Sequence, residues 1–170
     1  MQKEYKINQV NPSKGALDFS YLLDAPAGKH GFVQAKNGHL YYEDGTRARF
    51  LGFNMATRSN AVNHELAEKL AGRFASLGVN VIRLHAADAP IGEQERSWSS
   101  CKEAPLLDYE KGTSRFFHPE GLDRFDYFVA KLKEKGIYIH IDLIVAREFL
   151  LGDELDYDTK VASCSKCYPM

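Results

Sequence analysis

Leu77-Gly78-Val79-Asn80-Val81-Ile82-Arg83-Leu84-His85 is the stretch on which the reading of this chain turns. Upstream of it, Leu66, Leu70 and Phe74 recur at helical spacing, with Ala67, Ala71 and Ala75 beside them. One apolar helix face is expected there. Asn63 is placed to cap the start of that helix and Gly78 to stop it. Val79 to His85 is short, β-branched and mostly apolar, as a strand buried on both faces should be.

The same unit returns further along. His118-Pro119 opens a second helix, with Pro119 suited to the first helical position. Leu122, Phe125, Val129 and Leu132 are expected on its inner face. Lys131, Lys133 and Lys135 crowd its last turn, where the helix dipole favours cations. Gly136 ends it, and Ile137 to Val145 reads as another buried strand. Alternating strands and helices argue a parallel α/β sheet. The connection from Ala86 to His118 is too long to be a mere link, and it follows the C-terminal end of a strand, where α/β folds place ligand sites.

Ahead of these units the period is two. Phe32–Lys36, His39–Tyr42 and Thr46–Phe53 read as strands, separated by Asn37-Gly38 and Glu43-Asp44-Gly45. Asn-Gly and Asp-Gly supply the positive φ angles of tight hairpin turns. A small antiparallel meander is therefore expected to open the structured part. Residues 1–30 read as an irregular segment, 31–150 as the body, and 151–170 as a polar, mobile tail.

Composition narrows the function classes. The chain has 170 residues, with 22 Lys plus Arg against 23 Asp plus Glu. That balance gives no general attraction to nucleic acid or to an anionic membrane. No run approaches the roughly 18 apolar residues of a membrane span, and Met1 to Val10 lacks the apolar core of a signal peptide. Cys164-Ser165-Lys166-Cys167 forms a CxxC and Cys101 stands alone. A zinc site needs about four ligands, so free thiols are expected, with no metal and no cofactor. A small zinc-binding α/β domain is the reading that this expectation opposes.

Taken in order, several motifs form one series. They are Asp18-Phe19-Ser20, Ala25-Pro26-Ala27-Gly28-Lys29-His30-Gly31-Phe32-Val33, Glu43-Asp44-Gly45-Thr46, Arg49-Phe50-Leu51-Gly52-Phe53-Asn54, Leu77 to His85, and Lys135-Gly136-Ile137-Tyr138. The series resembles the N-terminal part of the cellulase-like, retaining (β/α)8-barrel glycoside hydrolases, near family 5, over roughly residues 18 to 150. The resemblance implies the first three strands of a partial TIM barrel, preceded by a β-hairpin that caps the barrel bottom. A whole barrel takes about 250 residues. Retaining hydrolysis needs two carboxyl groups about 5 Å apart, which the family carries on its fourth and seventh strands. The expectation is thus an N-terminal portion that is inactive alone and belongs to a parent acting on an oligo- or polysaccharide. Open sheet edges predict self-association. The rival reading is a carbohydrate-binding module without catalysis.

The resemblance assigns a role to Arg83, and the residues themselves offer further candidates. Arg83 would hold the nucleophile's carboxylate ionised, or else form a structural ion pair within the chain. Asn54, at the end of the first barrel strand, would bond a sugar or a neighbouring strand. His85 and Asp88 would project into the cleft, as sugar contacts or as a supporting network. Asp142 shares a strand face with His140 and Tyr138, and its carboxylate needs a partner, for which Arg83 is the candidate. Arg147 and Glu148 lie just beyond the strand as further contact candidates. Trp98 is either a stacking platform for a pyranose or an anchor for its loop.

Overall fold

A computed structural model describes residues 18–90 and 104–155. It contains β1 (Val33–Lys36), β2 (His39–Tyr42), β3 (Gly52–Ala56), α1 (His64–Ser76), β4 (Val81–His85), α2 (Pro119–Glu134) and β5 (Tyr138–Ile141). β1 and β2 form an antiparallel hairpin, while β3, β4 and β5 form a parallel sheet in that order. Two right-sized βα units and a preceding hairpin are present, and the sheet does not close into a barrel among the described residues. This is the expected α/β arrangement of a partial TIM barrel.

Local chemistry explains the helices. Asn63 caps α1, its side chain accepting from Leu66 N at 2.9 Å. His118 caps α2, accepting from Gly121 N at 3.3 Å, with Pro119 in the first turn. The burial of the two helices differs from the expected faces. On α1 the alanines are the residues fully inside, with Ala67 and Ala71 at 0% exposure, whereas Leu66 is 39% exposed. Small residues let α1 approach α2 and the sheet closely, and Leu70 and Phe74 then fall on the flank. On α2 the inner row is Gly121, Phe125, Phe128 and Leu132; Leu122 and Val129 are only partly covered. Gly121 has no freedom to be larger, since a Cβ there would lie 1.9 Å from the Pro105 carbonyl oxygen.

The sheet is also buried differently from the expectation. Ile82 and Leu84 are wholly inside, packed with Phe128, Leu132 and Ile137. Their alternate neighbours Val81, Arg83 and His85 are only partly covered. One face of the sheet is core and the other is open, so β4 is not buried on both sides. Strand lengths change too. Residues 46–51 are not a third meander strand; they make only the bridge Tyr41–Arg47, and the chain then enters the parallel sheet at Gly52. Asn80 explains this. Its side chain accepts from Leu51 N and donates to Arg49 O, both at 2.7 Å, taking hydrogen bonds that a ladder would otherwise use. β5 ends at Ile141, well short of Val145.

The N-terminal segment and hairpin close the end of the sheet where the strands begin. Phe19 N donates to Ser76 O at 2.8 Å and Ala27 N to Lys133 O at 2.9 Å, so the segment covers the last turns of both helices. Gly78 and Gly136 sit beneath it with φ of 73° and 82°, a region that disfavours any side chain. Tyr42 of the hairpin stacks on Tyr138 at 5.5 Å. Burial and its hydrogen bond with Tyr138 push the Tyr42 hydroxyl up to about 12. At the far end of the described residues, Leu151–Asp153 form a 3-10 turn with Asp153 buried. Among the described residues no helix is long and apolar enough to cross a membrane.

His30 ties the segment to the hairpin. Its Nδ1 lies 2.5 Å from Asp44 Oδ2, and its Nε2 bonds the Asp24 carboxylate, which also pairs with Lys29. Ionised carboxylates only accept, so both ring nitrogens donate and the ring is an imidazolium. The bonds from Asp24 and then Asp44 raise the His30 pKa; Asp24 is lowered first by Lys29 and then by His30, and Asp44 is lowered chiefly by Thr46. A raised histidine stabilises fully below its unfolded value of about 6.5 and loses that contribution as pH rises through the folded value. Thermal midpoints measured from pH 5 to 9 should therefore fall on the alkaline side, and His30→Gln should flatten that part of the curve. An identical pH profile in the variant would remove the clamp from the account.

Candidate functional site

Parallel register builds the open face row by row. Asn54 pairs with Arg83, and Arg83 with His140, so one residue from each strand forms a row. Ala56 pairs with His85 in the next row, and Asp142 follows β5 alongside, its N–H donating to Leu84 O at 3.3 Å. Side chains on alternate residues share a face. Asn54, Arg83, His85, His140 and Asp142 are thereby gathered on one side, at the C-terminal half of the strands.

Asp142 is the hub of this group. Its Oδ1 accepts from Arg83 Nε at 3.2 Å and its Oδ2 lies 2.6 Å from Arg83 Nη2 in an ion pair, a two-point contact. Oδ2 also lies 2.5 Å from His85 Nδ1, and His140 Nε2 is 3.5 Å from Oδ1. The His85 bond, followed by Arg83, lowers the Asp142 pKa against the cost of burial. The Asp142 side chain is 12% exposed while that of Arg83 is 42% exposed, so the carboxylate is sheltered and the guanidinium faces out. Arg83 Nη1 also donates to Asn54 Oδ1 at 3.3 Å. Asn54 lies within β3, which continues to Ala56 instead of ending at the asparagine.

Backbone strain marks the ends of two strands. Thr57 directly follows β3 with φ of 51° and Ala86 directly follows β4 with φ of 52°, both left-handed and neither glycine. Asn60, almost fully buried, donates from Nδ2 to His85 O at 2.8 Å and so fixes the end of β4.

Asp88 has a different place from that of its neighbours. It is 6% exposed, and its carboxylate accepts from Val145 N at 2.8 Å and Ala146 N at 3.1 Å. It holds the turn after β5 and stands in the supporting network. Arg147 likewise faces the loop, donating to Ser114 Oγ at 2.9 Å and Ser114 O at 2.6 Å. Glu148 N donates to the Tyr109 hydroxyl at 3.2 Å, and that hydroxyl donates to Asp88 O at 2.8 Å. Burial raises the Tyr109 pKa. Asp153 completes the network, accepting from Thr113 Oγ1 at 2.7 Å, Ser114 N at 2.9 Å and Leu150 N at 2.7 Å.

Sequence reasoning brought Asn54, Arg83, His85 and Asp142 to one strand-end face, and the structure joins them by hydrogen bonds. It missed Asn60, Tyr109, Thr113, Ser114 and Asp153, which lie in loops without periodicity. Nothing in the sequence marks Asp153, which stands between Gly152 and Glu154; its burial is tolerated because a ring of donors surrounds it. Trp98 and the three cysteines, Cys101, Cys164 and Cys167, lie outside the described residues. Among the described residues no group of three or more His, Cys, Asp or Glu is arranged to hold a metal ion.

No protein-family model matches the sequence, and no curated protein matches it. Among solved structures the chain is similar to a glycoside hydrolase family 5 structure from Bacteroides vulgatus ATCC 8482, at 15% identity and a TM-score of 0.48. A second, described as a glycoside hydrolase, is similar at 19% identity and a TM-score of 0.48. Each comparison covers 70% of this chain and 26% of the matched one, so the chain spans about a quarter of the length of those structures.

Asp153 gives a direct test of the loop network. Burial alone would raise its pKa, but the bonds from Thr113, Leu150 and Ser114 together lower it. A lowered carboxyl stabilises above its unfolded value and loses that contribution as pH falls through the folded value. Asp153→Ala strands several buried donors and should cost roughly 2–4 kcal/mol in urea unfolding at neutral pH, with a smaller difference in acid. A cost below about 0.5 kcal/mol, the size of an ordinary surface change, would contradict the geometry.

Proposed function

We propose that the open face of the sheet is one wall of the sugar cleft of a glycoside-cleaving (β/α)8 barrel. The single observation that carries this is the Asn54–Arg83–Asp142–His85 group. It stands at the C-terminal half of three parallel strands, where barrel enzymes place their chemistry. Arg83 is held at two points from behind and points its remaining donors outward. Such pre-oriented polar groups suit the hydroxyls of a sugar and a carboxylate on a facing strand.

In this reading cleavage follows the retaining route, with an acid/base and a nucleophile about 5 Å apart. Both belong to strands other than β3, β4 and β5. Asp142 is committed to Arg83 and His85, and Asp88 to the turn after β5, so neither is free to attack a sugar or protonate a leaving oxygen. Arg83 would then divide its donors between Asp142 and the incoming nucleophile. The same open face and the exposed Ile141, Leu143 and Ile144 beside it favour association of the chain with copies of itself.

The test uses the chain itself. A panel of aryl β-glycosides should give no turnover. Methyl β-glycosides at millimolar concentration should shift the resonances of Arg83, His85 and their neighbours in NMR spectra, and Arg83→Ala should abolish those shifts. Turnover that survives Arg83→Ala but disappears in Asp142→Asn or Asp88→Asn would replace this reading with one in which these aspartates do the chemistry.

A further inference from the structure

We infer that Asp142 is a positioning residue that makes His85 a hydrogen-bond acceptor beside the Arg83 donors, and that the pair recognises two adjacent hydroxyls of a glycoside. The inference rests on the sugar-cleft reading and adds to it the feature of the substrate that is read.

The argument starts from the carboxylate. Ionised Asp142 has no proton to give, so His85 Nδ1, 2.5 Å from Oδ2, carries the hydrogen between them. In the neutral ring Nε2 is then a bare acceptor. Among the described residues no hydrogen bond reaches Nε2. The ring is held at Nδ1 by Asp142, and the backbone that carries it is held at the His85 carbonyl by Asn60. Its row neighbour on β3 is Ala56, a methyl group that cannot compete for Nε2.

Arg83 stands one row earlier on the same strand and the same face. Its Nη2 lies 2.6 Å from the same Oδ2 that takes His85 Nδ1, so guanidinium and imidazole meet at one oxygen. The guanidinium has five N–H groups. Nε donates to Asp142, Nη2 is paired with the same carboxylate and one Nη1 hydrogen goes to Asn54, which leaves donors facing out. A donor and an acceptor side by side match a vicinal diol: one hydroxyl accepts from Arg83 while its neighbour donates to Nε2. A glycoside lacking either hydroxyl forfeits one of the two bonds, and that is what makes such a pair selective.

The experiment is a 15N–1H correlation of the histidine rings in the full chain at alkaline pH. The expected spectrum shows His85 protonated on Nδ1 and bare at Nε2. Asp142→Asn, which removes the acceptor-only carboxylate, should return the ring toward the Nε2–H tautomer that free histidine prefers. Asp142→Glu should keep the Nδ1–H form. A methyl β-glycoside should then shift Nε2, and its monodeoxy analogues lacking either adjacent hydroxyl should bind about tenfold more weakly. An Nε2–H tautomer in the unaltered chain, or a tautomer indifferent to Asp142→Asn, overturns the inference whatever the sugars do. Deoxy analogues that bind equally, or glycosides that shift other residues and leave Nε2 alone, overturn it while the sugar-cleft reading stands. Glycosides that shift nothing overturn both.

Discussion

The register of three parallel strands is the constraint on which everything else depends. Because Asn54, Arg83 and His140 are paired residue to residue, their side chains emerge together on the face away from the helices. A slip by one position would send Arg83 into the core and Ile82 or Leu84 into water. The core prevents that slip. Ile82 and Leu84 pack against Phe128, Leu132 and Ile137 with no exposure, and burying each is worth about 1.5–3 kcal/mol. The apolar half of each strand thus sets the position of the polar half, and the placement of the candidate site follows from packing on the opposite face.

The two ends of the sheet are treated differently. Where the strands begin, aromatic stacking, the His30 clamp and backbone bonds to the helix ends make a closed floor. Where the strands end, loops meet through buried polar groups: Asp88 to the turn after β5, Tyr109 to Glu148, Asp153 to Thr113 and Ser114. A floor of rings tolerates change only by repacking. A roof of satisfied polar groups holds its geometry through directed bonds, which suits a surface that must present side chains at fixed angles. The left-handed Thr57 and Ala86 both fall on this second end.

Much of this was legible in the sequence, for physical reasons that name themselves. Asn63 and Gly78 bracket a helix because capping and left-handed backbone are local chemistry, and the same holds for Pro119 and Gly136. The alternation along Val81–His85 contained the open face as well, but an apolar strand invites the assumption of burial on both sides. Thr46–Phe53 failed as a hairpin strand because Asn80, far away in sequence, takes over its backbone bonds. The leucine face of α1 yielded to the alanines because close packing against α2 rewards small residues, a matter of tertiary distance. At the site, Arg83 and Asp142 were found by register and by the need of a buried carboxylate for a partner. Asp88 could not be assigned between cleft and support from its position alone, since the N–H groups it binds belong to a turn some way along the chain.

The most direct test of the central claim, that register delivers Arg83 and Asp142 to each other on the open face, is a double-mutant cycle. Stability of the unaltered chain, Arg83→Met, Asp142→Asn and the double variant would be measured by urea unfolding. The structure requires a coupling of at least about 1 kcal/mol, because a two-point guanidinium contact to a sheltered carboxylate is lost only once. Single effects that add to within about 0.3 kcal/mol would show that the two side chains do not meet.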